Sequence, residues 1–134
     1  MSEPAVVERD EIPVQFVRAA DRIEEIRRAW DELEAAVGTL RGRRFYGAFD
    51  PVAGDYRACV ELRDGDEPVP GLATGALPGG RYLRARLRGE PPGLYERIAP
   101  TFDELVRLGD HDTSRPQLEL YRRLDELDLL LPVL

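Results

Sequence analysis

The sequence lacks lysine and has very little cysteine, histidine or tryptophan. All 19 of its basic residues are arginine, while Cys59, His111 and Trp30 are each the only residue of their type. One cysteine and one histidine cannot form a disulfide framework or a Cys/His metal site within one chain. The composition therefore predicts no metal site and no cofactor, and it fits a reduced, cytoplasmic setting.

Long apolar runs and a positive net charge are also absent. No run of roughly 18 apolar residues occurs, and no apolar segment follows a basic N-terminus, so we expect neither a membrane span nor a signal peptide. The 26 acidic residues give a formal charge of -7. Because nucleic-acid binding needs a concentrated positive surface, and the residues before Val14 are too few for a helix-turn-helix, we expect no direct nucleic-acid partner.

Hydrophobic patterning predicts two repeats, each with the order β-α-β-β. Residues 1–11 are expected to form a mobile segment, and residues 12–134 a single domain of ordinary length. This order of elements predicts an α+β fold, in which an antiparallel sheet carries both helices on one face. The predicted strands are IPVQFVRA, RRFYGAFD and YRACVELR in the first repeat and RYLRARLR, QLELYRR and LDLLLPV in the second.

Side-chain alternation assigns the predicted strand residues to two faces. In QLELYRR, Glu119 and Tyr121 share one face, and Leu118 and Leu120 share the other, which we expect to lie beneath the helices. The same alternation places four residues of RYLRARLR on the face with Glu119, namely Tyr82, Arg84, Arg86 and Arg88. It places Tyr56 of YRACVELR in the apolar set that faces the core.

A carboxylate among aromatic rings has three plausible roles. Glu119 could anchor a cationic ligand, because ring faces attract positive charge and a partly desolvated carboxylate neutralises it. The same surroundings could raise its pKa and make it a general acid or base. Alternatively, Glu119 could simply pair with a neighbouring arginine on a solvated face of the sheet.

Four segments together resemble the GyrI-like small-molecule-binding superfamily. They are RRFYGAFD, LPGGRYLRARLRG, RPQLELY and the closing LLLPVL, and the resemblance extends over residues 14–134. It implies a duplicated β-α-β-β fold with a ligand groove between the repeats, lined by aromatic residues around a central glutamate. Glu119 matches that glutamate, Tyr121 the tyrosine two residues later, and Tyr82 the tyrosine of a Pro-x-Gly-x-Tyr motif.

Further groove residues are implied with less positional detail. Tyr46 lies in the matching aromatic-Gly strand, where Phe45 and Phe49 are the alternatives for facing the groove. Trp30 either contributes at the rim or packs in the core as part of its helix's apolar stripe. If Arg84 or Arg86 enters the groove, Glu119 is already neutralised and the ligand is neutral or anionic rather than cationic.

The resemblance implies three kinds of function. The first is capture of a bulky aromatic or amphipathic drug or toxin in the groove. The second is hydrolysis of cyclopropane-bearing alkylating natural products, with Glu119 and Tyr121 as catalytic residues. The third is a protein-interaction role, as a gyrase inhibitor or a sensor subunit, and a homodimer is also compatible with the sequence.

Overall fold

A computed structural model describes residues 3–39 and 41–134, and it is dominated by strands. Residues 1 and 2 of the expected mobile segment lie outside that range. The strands are β1 (Ala5–Arg9), β2 (Ile12–Ala20), β3 (Phe45–Asp50), β4 (Asp55–Glu61), β5 (Ala73–Leu77), β6 (Gly80–Arg88), β7 (Gln117–Arg123) and β8 (Glu126–Pro132). The helices are α1 (Ile23–Val37), α2 (Gly93–Glu96) and α3 (Ile98–Leu108).

The eight strands form one curled antiparallel sheet in the order β1-β6-β8-β7-β3-β4-β2-β5. The order is symmetric about its centre: β1, β2, β3 and β4 occupy positions that mirror those of β5, β6, β7 and β8, respectively. The chain is therefore a structural duplication, and the two halves meet where β3 pairs with β7. The predicted α+β fold with two repeats is confirmed.

Each repeat has one more strand than the sequence pattern indicated. The extra strand of the first repeat is β1, which lies within the segment expected to be mobile and pairs with β6. Its counterpart in the second repeat is β5, which pairs with β2. Val7 of β1 packs against a buried cluster while Val6 is 62% exposed, so the strand follows the alternation of an edge strand. Five residues with only two inward apolar side chains, Ala5 and Val7, gave too weak a periodic signal to identify β1 from sequence.

The helices pack against one face of the sheet, as predicted. In α1, Ala29 and Leu33 are buried against β2 and β4, and Gly38 with a φ of 81° ends the helix. In α3, Phe102 and Leu105 pack against β6 and β8. A short break at Arg97 separates α2 from α3, and Pro100 falls in the first turn of α3, where it does not interrupt the helix.

The prediction for the face of β7 was wrong. Leu118 and Leu120 belong to a cluster on the face away from the helices, while Tyr121 packs with the residues beneath α3. The physical reason is that the curled sheet buries both faces, as the fully buried β8 shows. Alternation separates two sets of residues but does not say which of two buried faces each set occupies.

Candidate functional site

Glu119 lies at the centre of the duplicated sheet, on the face covered by the helices. It pairs directly with Gly47 of β3. The register between β3 and β4 also matches the register between β7 and β8. Gly47 pairs with Ala58 in the first repeat, and Glu119 pairs with Leu129 in the second. Gly47 and Glu119 are therefore equivalent positions that face each other across the pseudo-twofold axis, and only one of them carries a side chain.

The missing side chain at Gly47 leaves the space in which the site is built. A Cβ atom added there would overlap the Tyr56 hydroxyl and Oε1 of Glu119, and it would lie 2.9 Å from Cζ of Tyr56. Real Cβ atoms essentially never come so close to other heavy atoms. Glycine is thus required here for close approach, although its backbone conformation is ordinary for a strand.

Two tyrosine hydroxyls donate hydrogen bonds to the same oxygen of Glu119. The distances to Oε1 are 2.9 Å from Tyr56 and 2.7 Å from Tyr121. Nε1 of Trp30 in turn donates to the Tyr56 hydroxyl over 3.1 Å. Within the described ranges no donor contacts Oε2, so this oxygen keeps its capacity to accept from a ligand.

Aromatic rings from both helical regions surround the carboxylate. The ring of Tyr121 packs edge-on against Trp30 of α1, with centroids 5.2 Å apart, and against Tyr95 of α2 at 6.3 Å. Trp30 also packs against Phe45 at 6.3 Å. Glu119 is only 8% exposed among these groups. The arrangement is a negative or titratable group enclosed by ring surfaces.

Burial controls the protonation chemistry of this cluster. It raises the pKa of Glu119, while the hydrogen bonds from Tyr121 and Tyr56 lower it and the charge of Asp21 adds to the rise. Burial and the nearby Glu119 raise the pKa of Tyr56 and of Tyr121 well above the ordinary phenol value. Both tyrosines therefore stay protonated and act as donors.

No arginine of the described chain forms an ion pair with Glu119, and two of the arginines considered from sequence lie elsewhere. Arg84 pairs in register with Leu130, which belongs to the cluster away from the helices. Arg86, on the same face, binds Asp128 at 2.7 Å. The alternative in which these arginines neutralise Glu119 is excluded by their position across the sheet.

Two predicted groove residues also lie across the sheet from Glu119. Tyr82 is fully buried and its hydroxyl donates to the carbonyl of Pro78 over 2.6 Å. Tyr46 is fully buried and accepts from Arg9 at 3.0 Å. Both belong to the cluster on the face away from the helices. The prediction that Tyr82 shares a face with Glu119 was wrong, because the sequence assigned Glu119 to the face away from the helices. For the strand of Tyr46 the sequence left the groove-facing residue open, and the alternatives Phe45 and Phe49 lie on the helix-covered face.

Three of the predicted residues are on the helix-covered face with Glu119. Tyr121 contacts it directly, and Trp30 is linked to it through Tyr56. Phe49 packs in the cluster beneath α1, in register with Tyr56. Sequence reasoning missed Tyr56, which it assigned to the apolar core. Its helix-facing position was correctly predicted, but the alternation pattern carries no sign of a hydroxyl that meets a carboxylate from another strand.

Other kinds of site find little support in the described ranges. They contain no group of three or more potential metal-ligating His, Cys, Asp or Glu side chains. No described helix has the length and apolar character needed to cross a membrane. A cavity of about 180 Å³ opens on the face away from the helices, at Ala48, Asp55, Arg57, Leu77 and Pro116, and it does not include Glu119. The cluster around Glu119 is the stronger candidate, because it combines a buried carboxylate, two hydroxyl donors and several aromatic rings.

Glu119 is expected to make the protein less stable as the pH rises. Its carboxyl is protonated in both folded and unfolded chains below the ordinary pKa, so burial has no charge to penalise there. As the pH rises through the raised folded pKa, the free energy of unfolding should fall by about 1.4 kcal/mol for each unit by which the folded and unfolded pKa values differ.

Urea unfolding of the wild type and Glu119→Gln across the acid and neutral range measures this effect. Other groups act in the opposite direction, such as Asp112, whose pKa is lowered to about 2 because Ser114 and Arg115 donate to it. These contributions are common to both proteins and cancel in the difference. Stability curves that stay parallel at all pH values would contradict the expected penalty.

The comparisons with known proteins agree on the fold. No protein-family model matches the sequence, and no curated protein does either. Among solved structures, an integron cassette protein from the mobile metagenome of Vibrio cholerae superimposes with a TM-score of 0.77 at 17% identity, over 98% of this chain and 95% of the other.

Two further structures superimpose over nearly their whole length. SAV2435, solved with tetraphenylphosphonium bound, gives a TM-score of 0.70 at 11% identity, over 99% of this chain and 94% of the other. The C-terminal domain of EcmrR gives 0.68 at 13% identity, over 98% and 97%. The chain therefore has the duplicated fold that its resemblance to the GyrI-like superfamily implied.

Proposed function

We propose that this protein binds bulky aromatic or amphipathic cations at Glu119 and captures them without chemical change. The observation that supports the proposal most directly is that Glu119 is buried among aromatic rings, with no ion pair to any described arginine. A buried carboxylate without a cationic partner is costly for a protein to keep ionised. A ligand that brings its own positive charge would remove that cost.

The surrounding groups suit a large ligand whose charge is spread over apolar surface. The rings of Trp30, Tyr95 and Tyr121 offer faces that attract delocalised positive charge, and such contacts contribute about 2 kcal/mol when desolvated. Oε2 of Glu119 supplies the anionic acceptor. The bound tetraphenylphosphonium in SAV2435 belongs to this chemical class, which supports choosing it as a probe.

The direct experiment compares two probes of matched shape and opposite charge. Tetraphenylphosphonium and tetraphenylborate both carry four phenyl groups on one central atom. We expect calorimetry at neutral pH to show the cation binding at least about tenfold more tightly, equivalent to about 1.4 kcal/mol, because only the cation is attracted by Glu119. Equal affinities, or tighter binding of the borate, would contradict a charge-selective site.

Hydrolysis makes a different prediction for the same carboxylate. Incubation with a cyclopropane-bearing alkylator, followed by mass analysis, separates the two functions. A capture protein releases the compound unchanged, whereas a hydrolase releases a water adduct that Glu119→Gln does not form. Recovery of the adduct with the wild type alone would replace the capture proposal by the catalytic one.

A further inference from the structure

We propose that Trp30 is a positioning residue, whose indole N–H fixes the Tyr56 hydroxyl as a donor to Glu119 and thereby stabilises the ionised carboxylate that a cation requires. The part of this inference that is tested by ligand binding rests on the proposed function. Its central claim concerns the chain's own groups and can be measured without any ligand.

The polarity of the hydrogen-bond chain follows from the donor inventory. An indole nitrogen only donates, so the Tyr56 hydroxyl must accept from Trp30 at 3.1 Å. That leaves the hydroxyl proton of Tyr56 for Oε1 of Glu119, at 2.9 Å. An accepted hydrogen bond polarises a hydroxyl and makes it a stronger donor. Trp30 on α1 thus acts on the charge of Glu119 on β7 through one intermediate residue.

Few other charges compete with this chain of contacts. From β7, Tyr121 donates directly to the same oxygen, and from α2, Tyr95 packs its ring against the ring of Tyr121. Asp21, just before α1, disfavours the ionised form. The neighbours in register from β3 and β8 are Gly47 and Leu129, which carry no charge.

Cation binding should therefore be linked to loss of a proton. Where Glu119 is protonated, binding converts the carboxylic acid to a carboxylate, and the proton leaves to solvent as the cation arrives. Affinity for tetraphenylphosphonium then falls as the pH drops through the titration of Glu119. Without the indole donor the ionised form is less stable, so this fall should begin at a higher pH.

The first test uses the single tryptophan as its own probe. The chain contains one indole, so its N–H gives one resonance in a proton–nitrogen correlation spectrum without further assignment. We expect this resonance to titrate with Glu119 in the ligand-free protein, and to lose that titration in Glu119→Gln and in Tyr56→Phe. A resonance whose chemical shift does not change with pH in the wild type, or changes equally in Glu119→Gln, would overturn the proposal.

The second test measures tetraphenylphosphonium affinity against pH for Trp30→Phe. The midpoint of the fall in affinity should move upward by on the order of half a pH unit, the size expected when one link of a hydrogen-bond network is removed. Ile26→Ala is the control, since it removes an apolar contact between α1 and the cluster beneath it without removing a donor or a ring of the site. Its midpoint should stay at the wild-type value.

The outcomes separate the inference from the function on which it rests. If tetraphenylphosphonium binds neither the wild type nor any variant while the indole resonance titrates with Glu119, the proposed ligand class is wrong and the positioning role stands. If the probe binds and both substitutions move the midpoint equally, packing rather than the indole N–H is responsible. That result would overturn the role of Trp30 and leave the binding function in place.

Discussion

Gly47→Ala is expected to lower the free energy of unfolding by about 3 kcal/mol and to abolish high-affinity binding at Glu119. The added methyl group would occupy the position at which the Tyr56 hydroxyl and Oε1 of Glu119 meet. Overpacking in a rigid interior costs about 1–3 kcal/mol, and a broken hydrogen bond to a buried charged group adds about 1–3 kcal/mol. Urea unfolding and calorimetry with tetraphenylphosphonium measure the two effects.

Two controls identify the cause of that loss. Gly93→Ala makes the same chemical change in α2, where an added Cβ meets nothing within 4 Å, and it should leave stability unchanged or slightly raised. Combining Gly47→Ala with Glu119→Ala removes one of the groups that the methyl group overlaps. The double variant should lose less stability than the two single variants together, and strict additivity would mean that the methyl group does not contact Glu119.

Glu119→Gln is expected to weaken tetraphenylphosphonium binding by at least about 30-fold, or about 2 kcal/mol, while the protein stays folded. The amide keeps the shape of the side chain and can still accept from Tyr56 and Tyr121. What disappears is the full negative charge, and loss of one member of a desolvated charge pair costs about 2–5 kcal/mol. The same substitution should reduce the difference in binding affinity between tetraphenylphosphonium and tetraphenylborate.

The measurement is calorimetry with both probes at neutral pH. Glu8→Gln serves as the control, because it removes one negative charge at a side chain that is 69% exposed and lies on the edge strand β1. It should change either affinity by less than about twofold, since exposed charges are screened. If Glu8→Gln weakens the cation as strongly as Glu119→Gln does, the effect comes from net charge, and the assignment of the site to Glu119 is wrong.

The sequence determined the order of the helical regions and of six strands, because each of these carries a local signal. The apolar stripe that includes Trp30 predicted α1, and alternation predicted β3, β4, β6, β7 and β8. The resemblance directed attention to Glu119 and Tyr121, which the structure brings into contact at 2.7 Å. The edge strands β1 and β5 remained hidden, because a short strand held by backbone pairing to a neighbour leaves little trace in side-chain periodicity.

What only the tertiary structure decided was the face on which the site lies and the residues that complete it. Alternation groups Glu119 with Tyr121 correctly, but a curled sheet with two buried faces hides the direction in which that group points. Contact between Tyr56 and Glu119 needs the pairing of β4 with β3 and of β3 with β7. The residues are distant in sequence, so their meeting at Gly47 depends on long-range register, which no local pattern encodes.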